Sequence, residues 1–169
     1  ATPLGAAVEA GFQGFDCQTV INAVVGLIPG SVGETSVIAI ALGAILLLWT
    51  GVASWKTMLS VFVGGALMGF VLQGVEGNHI LWYQHLVFGG FAFGAVFMAT
   101  DPVTSARTEC GKYVYGFLIG VVAVMVRVLN PGFPEGMMLA ILLMNAFAPL
   151  IDYCFVQSNI SKRAKRAIK

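Results

Sequence analysis

The chain has 169 residues, of which 58% are hydrophobic and only 10% charged, with a formal net charge of +1 and a mean hydropathy of +0.88. Soluble domains carry about 25% charged residues, because their surface must face water. A water-soluble globular domain is excluded, and the outer surface must face lipid.

A chain in lipid has to satisfy its backbone internally, as helices or as a closed barrel. Barrel strands alternate apolar and polar residues, whereas runs such as SVIAIALGAILLLW and YVYGFLIGVVAVMV are continuously apolar. The fold class is therefore all-α integral membrane. Residues 1–34 come first, an outer loop with Glu9, Gln13 and Asp16 and then a partly inserted, re-entrant segment broken at Pro29-Gly30-Ser31-Val32-Gly33. The glycine-rich turn before Glu34-Thr35-Ser36 leaves backbone amides open at a helix start, for an anion or for an ordinary re-entrant turn.

Residues 35–158 form a bundle of about five transmembrane helices, roughly Thr35–Thr50, Lys56–Val75, His85–Thr100, Lys112–Leu129 and Met137–Gln157. The first and third are short against the roughly 20 residues a bilayer requires, as helices next to unwound segments are in transporter-like folds. Before the third span, HILWYQHL carries His79, Trp82, Tyr83 and His85. Interfacial anchoring is the expectation there, since histidines six apart do not share a helical face. Gly65/Gly69, Gly90/Gly94 and Gly116/Gly120 are GxxxG pairs, which serve a tight bundle or a close partner subunit. The three cysteines, Cys17, Cys110 and Cys154, lack metal-ligand spacing and are expected as free thiols.

Lys56, Arg107, Lys112 and the tail Lys162, Arg163, Lys165, Arg166 and Lys169 all fall on one side of this arrangement. The positive-inside rule makes that side cytoplasmic, with 159–169 as a basic cytoplasmic tail and the amino-terminal end outside. The tail is a topology anchor, and no nucleic-acid partner is expected. Arg127, near the end of the fourth span, falls towards the outer side, where it is expected to snorkel.

Asp152, in NAFAPLIDYCF, places a carboxylate in a span at a cost of a few kcal/mol. Pro149 cannot donate to the carbonyl of Asn145, and Asn145 lies seven residues from Asp152, on the same helical face. Amide oxygen, freed carbonyl and carboxylate together are hard donors suited to Na⁺. The alternative is a protonated Asp152 bonded to a neighbouring helix. Asp101 precedes Pro102 in FMATDPVTSARTECGK, where it or Thr100 is expected to cap a helix beginning at Pro102. It also stands at the cytoplasmic mouth of any ion path. On the outer side, NPGFPEGM is a rigid turn with Glu135 before the last span.

GGFAFGAVFMATDPVT, RVLNPGFPEGMMLAILLMNAFAPLIDY and IPGSVGETS closely resemble the carboxyl-terminal half of the B subunits of Na⁺-translocating NADH:quinone oxidoreductases. The D subunits of Rnf complexes share some of these patterns. The resemblance implies one half of a ten-helix inverted-repeat subunit in a bacterial inner membrane. Thr2 then aligns with the threonine that bears covalent FMN through a phosphoester on the outer face. The resemblance allows riboflavin elsewhere in the subunit, and implies electron flow from NADH towards ubiquinone coupled to Na⁺ translocation. The implied partners are the other subunits of the complex, quinone and membrane lipid. An Rnf-type ferredoxin:NAD⁺ oxidoreductase subunit, or a flavin-free channel of similar architecture, is the alternative.

Overall fold

A computed structural model describes residues 3–9, 15–31, 33–73, 80–130 and 135–167. The regular structure among them is helical: α1 (Pro3–Glu9), α2 (Cys17–Val25), α3 (Val37–Trp49), α4 (Trp55–Leu72), α5 (Trp82–Val87), α6 (Phe91–Phe93), α7 (Glu109–Leu129) and α8 (Met137–Ala167). A single π-helical turn, Gly94–Met98, continues α6. The starts follow from local chemistry. Ser36 accepts from the Ala39 amide to cap α3, Thr108 accepts from the Gly111 amide to cap α7, and Asp16 accepts from the Cys17 amide at α2. Gly26 closes α2 in the left-handed conformation, at φ 102°.

Helices α4, α7 and α8 are long and apolar enough to cross a membrane. At 13 residues α3 covers about 20 Å, short of a hydrocarbon core of about 30 Å. The protein is a multi-pass, all-helical membrane protein whose apolar residues face outward. Leu42, Ile45, Leu46 and Trp49 of α3 are exposed, as are Leu139, Leu142, Leu143, Phe147 and Leu150 of α8. Small residues fill the inside, among them Ala95, Ala99, Ala123, Ala140 and Ala148, around Phe91, Tyr115 and Ile119.

Glycines set the central seam. A Cβ on Gly120 would collide with the Val61 carbonyl and stand 2.5 Å from the Gly65 amide nitrogen; one on Gly116 would stand 2.6 Å from the Thr57 carbonyl. Backbone therefore lies on backbone, with α4 and α7 parallel. Gly65 and Gly69 take Phe91 and Trp82, and Gly94 takes Met137. All three GxxxG pairs thus pack within this chain. Helix α8 runs antiparallel to α7, with Gly136 against Val126 and Ala123 at one end and Asp152 at Arg107 and Thr108 at the other.

The third span, a short helix over His85–Thr100 expected next to an unwound segment, is itself broken near its start. Helix α5 ends at Val87, Phe88 is extended, Gly89 has φ +68°, and α6 begins at Phe91. A Cβ on Gly89 would stand 3.1 Å from both Arg127 Nη2 and Leu4 Cδ2. The Arg127 side chain occupies the break and donates to the His85 carbonyl at 2.7 Å, a group whose helical partner the break removes. Arg127 is 1% exposed, so it is buried rather than snorkelled. His85 is also fully buried, whereas Trp82 and Tyr83 are exposed, as expected of interfacial anchors. His79 lies outside the described residues.

Gly120→Val should cost about 2 kcal/mol or more, the upper range for overpacking, because backbone rather than a movable side chain receives the new methyls. Thermal unfolding of the full-length subunit in detergent measures this. A variant as stable as the parent would contradict backbone contact at the seam.

Candidate functional site

The site lies at the end of the bundle where α4 and α7 begin and α8 carries Asp152. The connection from α6 arrives there through Asp101-Pro102-Val103-Thr104-Ser105-Ala106-Arg107. No helix starts at Pro102. Residues 102–104 form a turn instead, and the next helix waits for Thr108 and Glu109. Asp101 accepts from the amides of Val103 and Thr104, both at 3.3 Å, and from the Thr104 hydroxyl at 2.8 Å. That hydroxyl first, and then the Val103 amide, hold the Asp101 carboxyl below the ordinary carboxylate range.

Asp152 reaches across from α8 to the start of α7. Its Oδ2 accepts from the Arg107 amide at 2.8 Å, and its Oδ1 from the Thr108 amide at 3.0 Å and the Thr108 hydroxyl at 2.6 Å. The same hydroxyl oxygen accepts from Gly111, so the chain Gly111 N–H to Thr108 O–H to Asp152 is polarised in one direction. Every contact donates to Asp152, which is the pattern of an ionised carboxylate rather than a protonated one. A hydrogen bond to a charged group contributes about 1.5–3 kcal/mol. Three of them offset the roughly 2.5–3.5 kcal/mol that a carboxylate costs within a span.

Asn145 shares this face of α8, as the seven-residue spacing requires, and its side-chain oxygen accepts from the Tyr115 hydroxyl. Pro149 lies inside α8, leaving the Asn145 main-chain carbonyl without its helical donor. Next to Asp152 is a cavity of about 400 Å³, lined by Thr104, Ser105, Arg107, Ala148, Pro149 and Asp152. Asp152 and the Asp101 turn thus meet at one cavity through Thr104, while each carboxylate bonds its own set of donors. No cluster of three or more His, Cys, Asp or Glu suited to a metal ion occurs among the described residues.

Sequence reasoning missed Thr108 as the partner of Asp152. The available signal was Thr108-Glu109, a capping hydroxyl followed by an acid in the first helical turn. Thr2 lies outside the described residues. The three cysteines are free and exposed, as expected.

The model of the NQR2, RnfD, RnfE family matches residues 1–161. A Chromohalobacter salexigens protein, named as the B subunit of a Na(+)-translocating NADH-quinone reductase, is 60% identical over 150 residues, covering 86% of this chain and 36% of that protein. Proteins of the same name from Ectopseudomonas mendocina and Pseudoalteromonas atlantica are 47% and 51% identical, covering 99% and 86% of this chain and 43% and 37% of theirs. The chain therefore spans about two-fifths of the length of these curated relatives.

Asp152→Asn turns an amide NH₂ towards an N–H donor and should cost about 2–3 kcal/mol of stability. Thr108→Val keeps both backbone bonds but loses the hydroxyl bond to Asp152 and the α7 cap, and should cost about 1.5–2 kcal/mol. Parallel thermal unfolding of the full-length variants tests the order. An Asp152→Asn variant as stable as the parent would show that the carboxylate does not hold α8 to α7.

Proposed function

The chain belongs to the NQR2, RnfD, RnfE family, and on that basis we propose that it is the carboxyl-terminal part of a membrane subunit of a Na⁺-translocating NADH:quinone reductase. The observation that carries this reading is 60% identity, over most of the chain, to a protein of that name. In this reading the subunit works within a larger complex of the bacterial inner membrane. The basic end of the bundle faces the cytoplasm by its concentration of Lys and Arg, and Thr2 belongs to the outer side.

In this reading Thr2 would hold FMN through a phosphoester, and the flavin when bound would supply the redox chemistry between NADH and ubiquinone. Pro3 opens α1 directly after Thr2, so the attachment point precedes the first helical turn. The cavity beside Pro3 and Leu4 is only about 20 Å³ and includes Glu34 and Glu135 in its lining. It does not admit a flavin ring, and its carboxylates repel a phosphate.

For the ion, the reading assigns Asp152 as the uptake group, with the Asn145 carbonyl as a further oxygen and Asp101 at the mouth. The 400 Å³ cavity gives a hydrated cation access to Asp152. An ion bound there competes with the three donors from Arg107 and Thr108 for the carboxylate, and meets the Arg107 charge in the same cavity. Uptake is thereby coupled to the position of the 101–108 connection.

Two experiments on the full-length subunit in its complex test these assignments. Thr2→Val should abolish covalent flavin, seen as lost in-gel fluorescence and a lower intact mass, together with quinone reduction; retained flavin mass would refute Thr2 as the attachment point. Asp152→Ala should raise the Na⁺ concentration for half-maximal turnover about tenfold or more, the equivalent of one charge-assisted contact. Asp101→Ala should give a smaller shift, since a mouth residue concentrates ions without binding them tightly. Unchanged Na⁺ dependence in an assembled Asp152 variant would leave Asp152 a purely structural clasp.

A further inference from the structure

We propose that the basic end of the α4–α7 pair binds one anionic phospholipid, its phosphate held by Lys56, Arg107 and Lys112 and an acyl chain laid along the groove between the two helices. The proposal rests on the membrane-spanning fold and is independent of the ion and flavin assignments. A cavity of about 440 Å³ opens at this end, lined by Trp55, Lys56, Pro102, Arg107, Glu109 and Lys112. It gathers three cations against one carboxylate. Glu109 pairs with both Lys56 and Lys112 and is itself well exposed; it holds the two ammonium groups beside one another and offsets one of their two charges, leaving an excess of positive charge with Arg107.

A second cavity, of about 380 Å³, lies further along the same two helices, lined chiefly by Leu59, Val63, Tyr113, Val114, Phe117 and Leu118. Neighbouring residues of the two linings bring them close. Leu59 lies one turn beyond Lys56 on α4, and Tyr113 follows Lys112 on α7. The one aliphatic hydroxyl in the lining, on Ser60, donates back to the Thr57 carbonyl of its own helix, leaving the groove surface apolar. Trp55 and Tyr113 meet edge to face, 6.4 Å between centroids, with the Lys56 ammonium 6.0 Å from the Tyr113 ring. An aromatic pair beside a lysine marks the boundary between head groups and acyl chains.

The two cavities in series ask for an amphiphile with a negative head and an aliphatic tail. Free phosphate would leave the apolar groove unfilled. A neutral lipid or a quinone ring would leave the excess of positive charge from Lys56, Arg107 and Lys112 over Glu109 unmatched. Basic pockets between transmembrane helices are where acidic head groups bind.

The test places the full-length subunit in nanodiscs containing brominated phosphatidylglycerol or brominated phosphatidylcholine. The emission of Trp55 is isolated by difference from a Trp55→Phe variant. Brominated phosphatidylglycerol should quench that emission at a mole fraction lower by about fivefold, the preference that one lysine near an acidic head group provides. Lys56→Gln with Lys112→Gln should abolish the preference, and the double arginine variant should keep it. Val63→Phe should reduce quenching at unchanged charge by filling the groove. Equal quenching by the two lipids, or a preference that survives the double glutamine variant, would overturn the proposal. So would a Trp55 emission that neither lipid quenches, because protein would then cover the groove.

Discussion

In lipid, helices gain nothing by hiding apolar surface from one another, because the acyl chains are equally apolar. Association must come from close packing and from polar groups that have nowhere else to go. The contact between α4 and α7 meets the first requirement. Gly64, Gly116 and Gly120 let carbonyl and amide groups of the two helices approach until no Cβ would fit. The rest of the bundle is arranged around that pair, with Phe91 and Trp82 packed on Gly65 and Gly69, and Tyr115 and Ile119 presented to α8.

Polar tethers meet the second requirement, and they lie at opposite ends of α7. At one end Asp152 gathers the two amides and the hydroxyl that precede the helix, fixing α8 to it. At the other, Arg127 fills the break in the third span and bonds the carbonyl that the break exposes. Both give a charged partner to backbone groups that lack a helical one, and at Arg127, which is fully buried, water cannot substitute. A group so used is divided between two roles. The Asp152 carboxylate is at once the clasp of the bundle's basic end and, in the proposed function, the oxygen donor that an entering cation must recruit.

The fold class was legible because composition and unbroken apolar runs leave no soluble or barrel solution. Asp152 was legible as a costly residue, and Asn145 as its neighbour on α8, because both arguments are local to one helix. The partner of Asp152 was not legible. FMATDPVTSARTECGK offers several hydroxyls and two plausible helix starts, and Pro102 pointed to the wrong one. The break at Gly89 was equally hidden, since the segment is buried and stays apolar through both halves, so its hydropathy does not change where the helix stops. The burial of Arg127 and His85 was hidden for the same reason. Each was judged by its distance from a span end, when its position is set by a contact between segments 42 residues apart. The GxxxG pairs showed close approach from sequence alone, and only the fold itself shows that the approach is within the chain.

A carboxylate held by three donors and the proposed function meet in one proposal: that Asp152 is ionised and binds Na⁺ in competition with those donors during turnover. Infrared difference spectroscopy on the full-length subunit, Na⁺ against K⁺, with the Asp152→Asn variant as reference, tests it most directly. The account predicts a carboxylate stretching band assignable to Asp152 that shifts when Na⁺ is added, with no protonated carboxyl band in either salt. A protonated Asp152 carboxyl, or a carboxylate band indifferent to Na⁺, would contradict it.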